Sequence, residues 1–290
     1  MFDVPIGEWI EYLVEDFLLR YFTEIFDFVS YVVGAVTAAF EGALQAIPPG
    51  LFIAIVAVLA FWRLTWRYTL VFLIALLLLL GMGMWQATIS TLSLVVTATV
   101  ISLIFAIPLG IWMSKSDRVE GIVRPILDFM QTMPPFVYLI PAAMLFGLGK
   151  VPGAVATITF CTPPAVRLTN LGIRQVPKEL KEAALAFGCT PMQLLRKVEI
   201  PIAMPSIMAG VNQNIMMALS MVVIASMIGA GGLGNVVLSG IQRMNIGLGF
   251  EGGLGVVILA IILDRITQSF SQRQMGFLER FRRLFKGELA

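Results

Sequence analysis

The chain has 290 residues, of which 58% are hydrophobic and only 13% are charged, and its mean hydropathy is +0.90. A soluble globular domain carries about 25% charged residues, so this composition excludes an ordinary soluble fold. The sequence contains no histidine, which excludes His-based triads and His metal ligands. Its two cysteines, Cys161 and Cys189, lack a CxxC spacing. We therefore expect neither a metal site nor a disulfide framework.

The first 48 residues form a distinct segment that begins acidic and then becomes apolar. Arg20, Glu24, Asp27 and Tyr31 are spaced i, i+4, i+7 and i+11, which places them on one face of a helix over 17–40. Three charges near the start of a span would be costly in hydrocarbon. We therefore predict an external amphipathic helix that lies in the membrane interface, ending before the Pro48-Pro49-Gly50 break.

Apolar runs follow that are long enough to suggest membrane-spanning helices, which need about 20 apolar residues each. Backbone hydrogen bonds must close within a segment in lipid, so the fold class is an all-α polytopic membrane protein. We predict about seven transmembrane helices. The runs are 51–62, 68–85, 87–113, 128–148, 152–170, 203–228 and 251–269. The first two are accessory helices within 49–85, a core covers 86–270, and 271–290 is a basic tail.

Basic residues fall almost entirely on one side of this topology. If the loops that follow the first, third and fifth runs and the tail face the cytoplasm, they hold 17 of the 20 lysines and arginines. Cytoplasmic loops are enriched in such residues. We therefore expect a multi-pass membrane protein with its N-terminus outside and its C-terminus inside. The tail is either a membrane flank or a segment that contacts anionic lipid.

The longest cytoplasmic loop, 174–202, predicts two short helices. Pro177 suits the first turn of a helix over 179–187, and Gly188 suits the left-handed position after its end. Thr190 and Gln193 fit a capping box for a second helix, which Pro201 would stop. Such a protrusion is typical of a docking element for a soluble partner. The alternatives are a structural linker and a DNA-binding helix-turn-helix. The loop is tied between two membrane spans, which disfavours DNA binding, so no nucleic-acid partner is expected.

The loop resembles the EAA loop of ABC-importer permeases. Glu182-Ala183-Ala184, then Gly188, then Val198-Glu199-Ile200-Pro201 match the spacing of that motif, with Val and Ile replacing its Ile and Leu. Stretches across 86–270, such as QTMPPFVYLIPAAMLFGLG at 131–149, resemble permeases of the glycine betaine/proline/choline group.

That resemblance implies a five-helix type I importer core in a bacterial inner membrane and a transport subunit that is not an enzyme. Glu182, Ala183, Ala184, Gly188 and Pro201 would couple to a cytoplasmic ATPase, and two permease copies with two ATPases would form the pathway. An external binding protein would deliver the solute, which is glycine betaine, choline or proline. No G-x-x-x-x-G-K-[ST] motif occurs, so this chain carries no cofactor and ATP would bind the partner.

Polar and glycine-rich positions within spans are candidates for the pathway and its gate. The alternative for each is interhelical hydrogen bonding or tight packing. The candidate pathway residues are Gln131, Thr132, Pro134, Pro135, Asn212, Gln213 and Asn214. Four glycines after the sixth run form either a tight external turn or a gate: Gly229, Gly231, Gly232 and Gly234.

Three other classes of membrane protein are disfavoured by the same residues. A secondary transporter would need carboxylates at membrane depth for ion coupling, whereas Asp128, Glu251 and Asp264 lie toward span ends. A membrane enzyme would need paired catalytic groups, which the spans lack. A scaffold would not need the exposed loop.

Overall fold

A computed structural model of the protein describes Tyr12 and residues 18–271. Within this part of the chain the secondary structure is entirely helical, as the sequence predicts. The helices are α1 (Leu19–Gln45), α2 (Pro49–Arg63), α3 (Trp66–Gly81), α4 (Trp85–Lys115), α5 (Asp117–Thr132), α6 (Leu139–Phe146), α7 (Lys150–Arg174), α8 (Lys178–Ala186), α9 (Pro191–Leu194), α10 (Ile200–Ser226), α11 (Gly232–Gln242) and α12 (Ile246–Ser271).

The centre of the bundle is α7, which packs closely against α4 on one side and α10 on the other. Small residues permit this approach. A methyl group added at Gly110 of α4 would lie 2.7 Å from Thr169 Cβ on α7, and one at Gly172 of α7 would lie 2.7 Å from Ser206 Cβ on α10. Lipid supplies no hydrophobic force between helices, so close backbone packing of this kind stabilises the core.

The accessory pair α2 and α3 packs as a hairpin on α12. Its buried side chains, among them Ile53, Phe72 and Leu76, form one cluster with Ile258 and Ile262 of α12. The pair matches the two accessory helices predicted within 49–85. Both helices are short, with 15 and 16 residues.

Each predicted apolar run coincides with helix, although fewer helices satisfy a strict test for a span. By length and composition, four described helices are long and apolar enough to cross a membrane. The number rises to five if the bent pair Asp117–Thr132 and Pro135–Phe146 is one span. The seven predicted runs include the short α2 and α3 and also α7, whose polar and proline residues lower its hydropathy, but they do not include α1.

The N-terminal helix is present and packs against other helices of the bundle. α1 has 27 residues, and its length and composition are those of a span. It packs against α4, α6 and α7, with Val33 and Thr37 buried, and Ser93 Oγ donates a hydrogen bond to the Thr37 carbonyl. The structure shows that this helix packs on the bundle, and the interfacial position predicted over 17–40 stays a prediction. The rest of the acidic start and the tail at 272–290 lie outside the described residues.

Candidate functional site: the cytoplasmic loop and the polar core

The first helix of loop 174–202 ends as the sequence predicts. α8 spans Lys178–Ala186, and Gly188 follows it with φ +79° in the left-handed region. Phe187 and Cys189 amides donate to the carbonyls of Ala183 and Ala184, which satisfies two carbonyls at the helix end. An added Cβ at Gly188 would meet nothing within 4 Å. Glycine is therefore favoured here by backbone conformation alone.

The second helix begins with the predicted capping box. Thr190 Oγ1 accepts from the Gln193 amide at 3.3 Å, and Gln193 Oε1 accepts from the Thr190 amide at 2.9 Å. These two bonds satisfy two amides that a helix start would otherwise leave without partners. The entry into α9 is thus fixed by residues within four positions of each other.

Pro201 does not stop this helix, contrary to the prediction. α9 continues through a π-helical turn at Leu195–Glu199 into α10, so that Pro191–Ser226 forms one helix of 36 residues. Pro201 has no N–H to donate to the carbonyl four residues earlier. The π turn, with its wider hydrogen-bond spacing, accommodates that loss without a break.

The loop presents an apolar surface with no covering element among the described residues. Glu182 and Ala183 are exposed and Ala184 is half-buried. Phe187 is 89% exposed, and Leu180 and Leu185 are also largely exposed. Exposed apolar side chains grouped in this way are typical of a surface that contacts a protein or a membrane.

Beneath this surface lies a buried carboxylate that the sequence analysis did not select. Glu199 is 1% exposed and forms an ion pair with Lys115 at the end of α4. Its second oxygen lies 3.7 Å from Lys181 Nζ on α8. A lone acid between the apolar Val198 and Ile200 was the available signal, but its partners lie 84 and 18 residues away in the sequence.

The predicted break at Pro134 is present and sharply bends the chain. The axes of Asp117–Thr132 and Pro135–Phe146 differ by 107°. Pro134 cannot donate to the Met130 carbonyl, and the Tyr138 hydroxyl donates to that carbonyl instead. Gln131 and Thr132 are exposed beside the break, as is Pro134, whereas Pro135 is half-buried.

The three consecutive polar residues on α10 point in different directions. Asn214 is fully buried, and its amide donates to Ser102 Oγ at 2.6 Å and to the Cys161 carbonyl at 2.8 Å. Asn212 donates to Asp264 on α12 at 2.8 Å. Gln213 is exposed. The first two side chains bind neighbouring helices, and Gln213 is the exposed member of this run.

The glycine-rich stretch forms a tight turn between α10 and α11. Gly229, Gly231 and Gly232 have φ of +89°, +79° and +69°. The Ile228 carbonyl accepts from the Gly149 amide at 2.7 Å, and Thr91 Oγ1 accepts from the Leu233 amide at 2.8 Å. The turn is thus bonded to α4 and to the start of α7.

Comparison with known proteins decides the family. Residues 103–276 match the family described as "Binding-protein-dependent transport system inner membrane component". The chain belongs to this permease family. It is therefore a multi-pass inner-membrane transport subunit, as its sequence predicted.

Similar permeases cover nearly the whole chain. The glycine betaine/carnitine transport permease protein GbuB of Listeria monocytogenes is 48% identical, over 93% of this chain and 96% of the relative. The glycine betaine/proline betaine permease ProW of Escherichia coli is 47% identical, over 92% of this chain and 75% of the relative. The glycine betaine permease OpuAB of Bacillus subtilis is 45% identical, over 93% of this chain and 96% of the relative.

A solved structure supports the fold. A chain of the MetNI methionine ABC transporter, in an inward-facing conformation, superposes with a TM-score of 0.58 at 21% identity. The likeness covers 66% of this permease and 96% of that chain. The predicted all-α importer-permease core is confirmed.

The glycine turn of the permease gives a prediction about packing. A Cβ at Gly234 would lie 2.3 Å from the Val222 carbonyl oxygen, and one at Gly232 would lie 2.4 Å from Thr91 Oγ1. Gly231 has only Lys150 Cε near its Cβ position, at 4.0 Å. We expect Gly234→Ala and Gly232→Ala to lower the free energy of unfolding by about 1–3 kcal/mol through overpacking. Gly231→Ala should cost about 1–2 kcal/mol through its positive φ.

Thermal unfolding and solute uptake of the three purified variants test this prediction. Uptake should fall only in parallel with the melting temperature. A Gly231→Ala permease that melts like the wild type but has lost uptake would contradict the packing account and favour a gate.

Proposed function

We propose that this permease passes glycine betaine and related quaternary amines from an external binding protein to the cytoplasm. The observation that carries the proposal is the near full-length likeness to permeases named for glycine betaine, at 45–48% identity. The choline transport permease OpuBB of Bacillus subtilis is 35% identical over 61% of this chain. Glycine betaine is therefore favoured over choline, and proline is the third candidate.

The driving force would come from a separate ATPase that docks on loop 174–202. The exposed apolar side chains of α8 and the small Ala183 and Ala184 fit a groove on a soluble partner. Two permease copies, each with one ATPase, would enclose the pathway. Closure of the ATPases would bring the two loops together and turn the cavity outward.

The positions of the charges support the proposed orientation. Lys115, Arg174 and Lys181 cluster around the loop, and Arg63 stacks 4.1 Å from the Phe270 ring near the end of α12. We place these ends in the cytoplasm and the Glu41–Lys150 pair outside.

The pathway would run past the break at Pro134 and the exposed face of α10. Gln131, Thr132 and Gln213 are the exposed polar members of that set. Asn212 and Asn214 form hydrogen bonds to other helices and would hold α10 in position beside the pathway without contacting the solute.

Uptake by a reconstituted complex tests this function. The permease, its ATPase and the binding protein would be placed in proteoliposomes with radiolabelled glycine betaine and excess unlabelled glycine betaine, choline, proline or methionine. We expect ATP-dependent uptake that unlabelled glycine betaine suppresses most strongly and methionine does not. Suppression by methionine, or uptake without ATP, would contradict the proposal.

A further inference from the structure

Both ends of loop 174–202 are held by one short segment on the same side of the bundle. That segment, which we call the 113–120 turn, consists of the last residues of α4, Ser116 and the first turn of α5. To these contacts it contributes two carboxylates, one ammonium group and one helix-end carbonyl. These groups belong to Asp117, Glu120, Lys115 and Met113.

At the exit of the loop, the contact is made through Glu199. One carboxylate oxygen pairs with Lys115 of the 113–120 turn, and the other lies 3.7 Å from Lys181 Nζ on α8. Lys181 also donates to the Ile173 carbonyl at 3.2 Å. A single buried carboxylate thus connects α8, the start of α10 and the end of α4.

At the entrance of the loop, the contact is made through Arg174, the last residue of α7. Its Nη2 lies 2.8 Å from Asp117 Oδ1 and 2.9 Å from Glu120 Oε2, and it donates to the Met113 carbonyl at 2.9 Å. The Asn170 amide donates to the other Glu120 oxygen at 3.1 Å. Charge-assisted bonds of this number fix the relative position of α7 and the turn.

Burial makes the contact through Glu199 hard to break. An ionised carboxylate that loses its partners inside a protein retains the full cost of its desolvation. A movement of the loop that carried Glu199 away from Lys115 would leave this carboxylate with Lys181, at 3.7 Å, as its cationic partner. The end of α4 is therefore expected to follow the loop when the loop moves.

The 113–120 turn leads directly to the break beside the candidate pathway. α5 runs from Asp117 to Thr132, where the chain bends by 107°. Leu127 is the fully buried residue along this helix. A helix with so little buried surface can shift against the bundle at lower cost than α4 or α7.

We propose that the 113–120 turn transmits movement of the docked loop to α5 and the break at Pro134, with Glu199 and Arg174 as positioning residues. This rests on the proposed function of loop 174–202 as the ATPase-docking element. Such coupling is a free-energy difference between two arrangements of the loop and α5. It is measured here as the ratio of solute import to ATP hydrolysis.

The test is the number of solute molecules imported per ATP hydrolysed by the reconstituted complex, in wild type, Glu199→Gln and Glu41→Gln. Glu41 is the matched control, since it is a mostly buried carboxylate paired with Lys150 at 2.6 Å at the other end of α7. We expect Glu199→Gln to lower the ratio about fivefold or more, the lower limit of typical coupling between sites. We expect Glu41→Gln to keep the wild-type ratio.

A second variant guards against loss of folding in the first. Lys115→Met breaks the same contact from its other side, at a position that is 41% exposed, and leaves Lys181 beside Glu199. It should lower the ratio while ATPase and permease still purify together. Wild-type ratios in both variants would overturn the proposal, and so would failure of both to assemble when Glu41→Gln assembles. A wild-type complex without ATP-dependent uptake would instead overturn the proposed function itself.

Discussion

Replacing Gly188 by valine should weaken retention of the ATPase about 5- to 30-fold. Gly188 has φ +79°, and a β-branched residue in that region costs about 1–2 kcal/mol or more. The helix end can avoid this cost only by unwinding, which would move Phe187 and the small surface of α8. Retention is measured as the amount of ATPase that co-purifies with tagged permease over a series of ATPase concentrations.

Gly188→Asn is the matched control for that experiment. Asparagine tolerates the left-handed conformation, and the space around Gly188 Cβ is open to 4 Å. Its retention should stay close to that of the wild type. Equal loss of ATPase in both variants would show that any side chain at this position disturbs docking. Wild-type retention of ATPase in both would show that the end of α8 is not needed for ATPase binding.

Replacing Asn214 by leucine should lower the free energy of unfolding by about 1–3 kcal/mol. The change removes bonds to Ser102 and to the Cys161 carbonyl in a fully buried site. The carbonyl then has no amide donor from α10. The measurement is the melting temperature of the purified permease in detergent.

A double variant separates lost hydrogen bonds from poor packing at Asn214. Removing both partners of a buried bond is less costly than removing one, so Asn214→Leu with Ser102→Ala should recover part of the lost stability. Recovery is limited because Ser102 Oγ also lies 2.9 Å from Thr162 Oγ1. Wild-type melting in the single variant together with lost uptake would make Asn214 a pathway residue instead.

Gln213→Leu should show the opposite pattern to Asn214→Leu. Gln213 is exposed, so its replacement should change the melting temperature little. If the exposed face of α10 lines the pathway, ATP-dependent uptake of glycine betaine should fall. Wild-type uptake with wild-type melting would remove Gln213 from the pathway.

Features of the loop that depend on neighbouring residues were predictable from the sequence. The helix end at Gly188 and the capping box of Thr190 and Gln193 involve bonds that span five residues or fewer. The conformational preference of glycine and the spacing of Thr190 and Gln193 determine both features, so the local sequence was sufficient to predict them. The Pro134 break was predictable for the same reason, because a missing N–H acts locally.

Features that depend on distant partners were not predictable. The charges of α1 gave no sign of its packing against α4 or of the Glu41–Lys150 pair, whose members lie far apart in the sequence. Pro201 suggested a stop, but a π turn lets the helix continue. Asn212, Gln213 and Asn214 are adjacent in sequence, and a turn of about 100° per residue sends them to three environments.

ATP hydrolysis by the assembled complex in nanodiscs, with and without solute-loaded binding protein, tests most directly whether this permease couples an external solute to a cytoplasmic ATPase. The account predicts that glycine betaine-loaded binding protein stimulates hydrolysis in the wild type and that Gly188→Val abolishes most of the stimulation. Equal hydrolysis with and without loaded binding protein in the wild-type complex would contradict it.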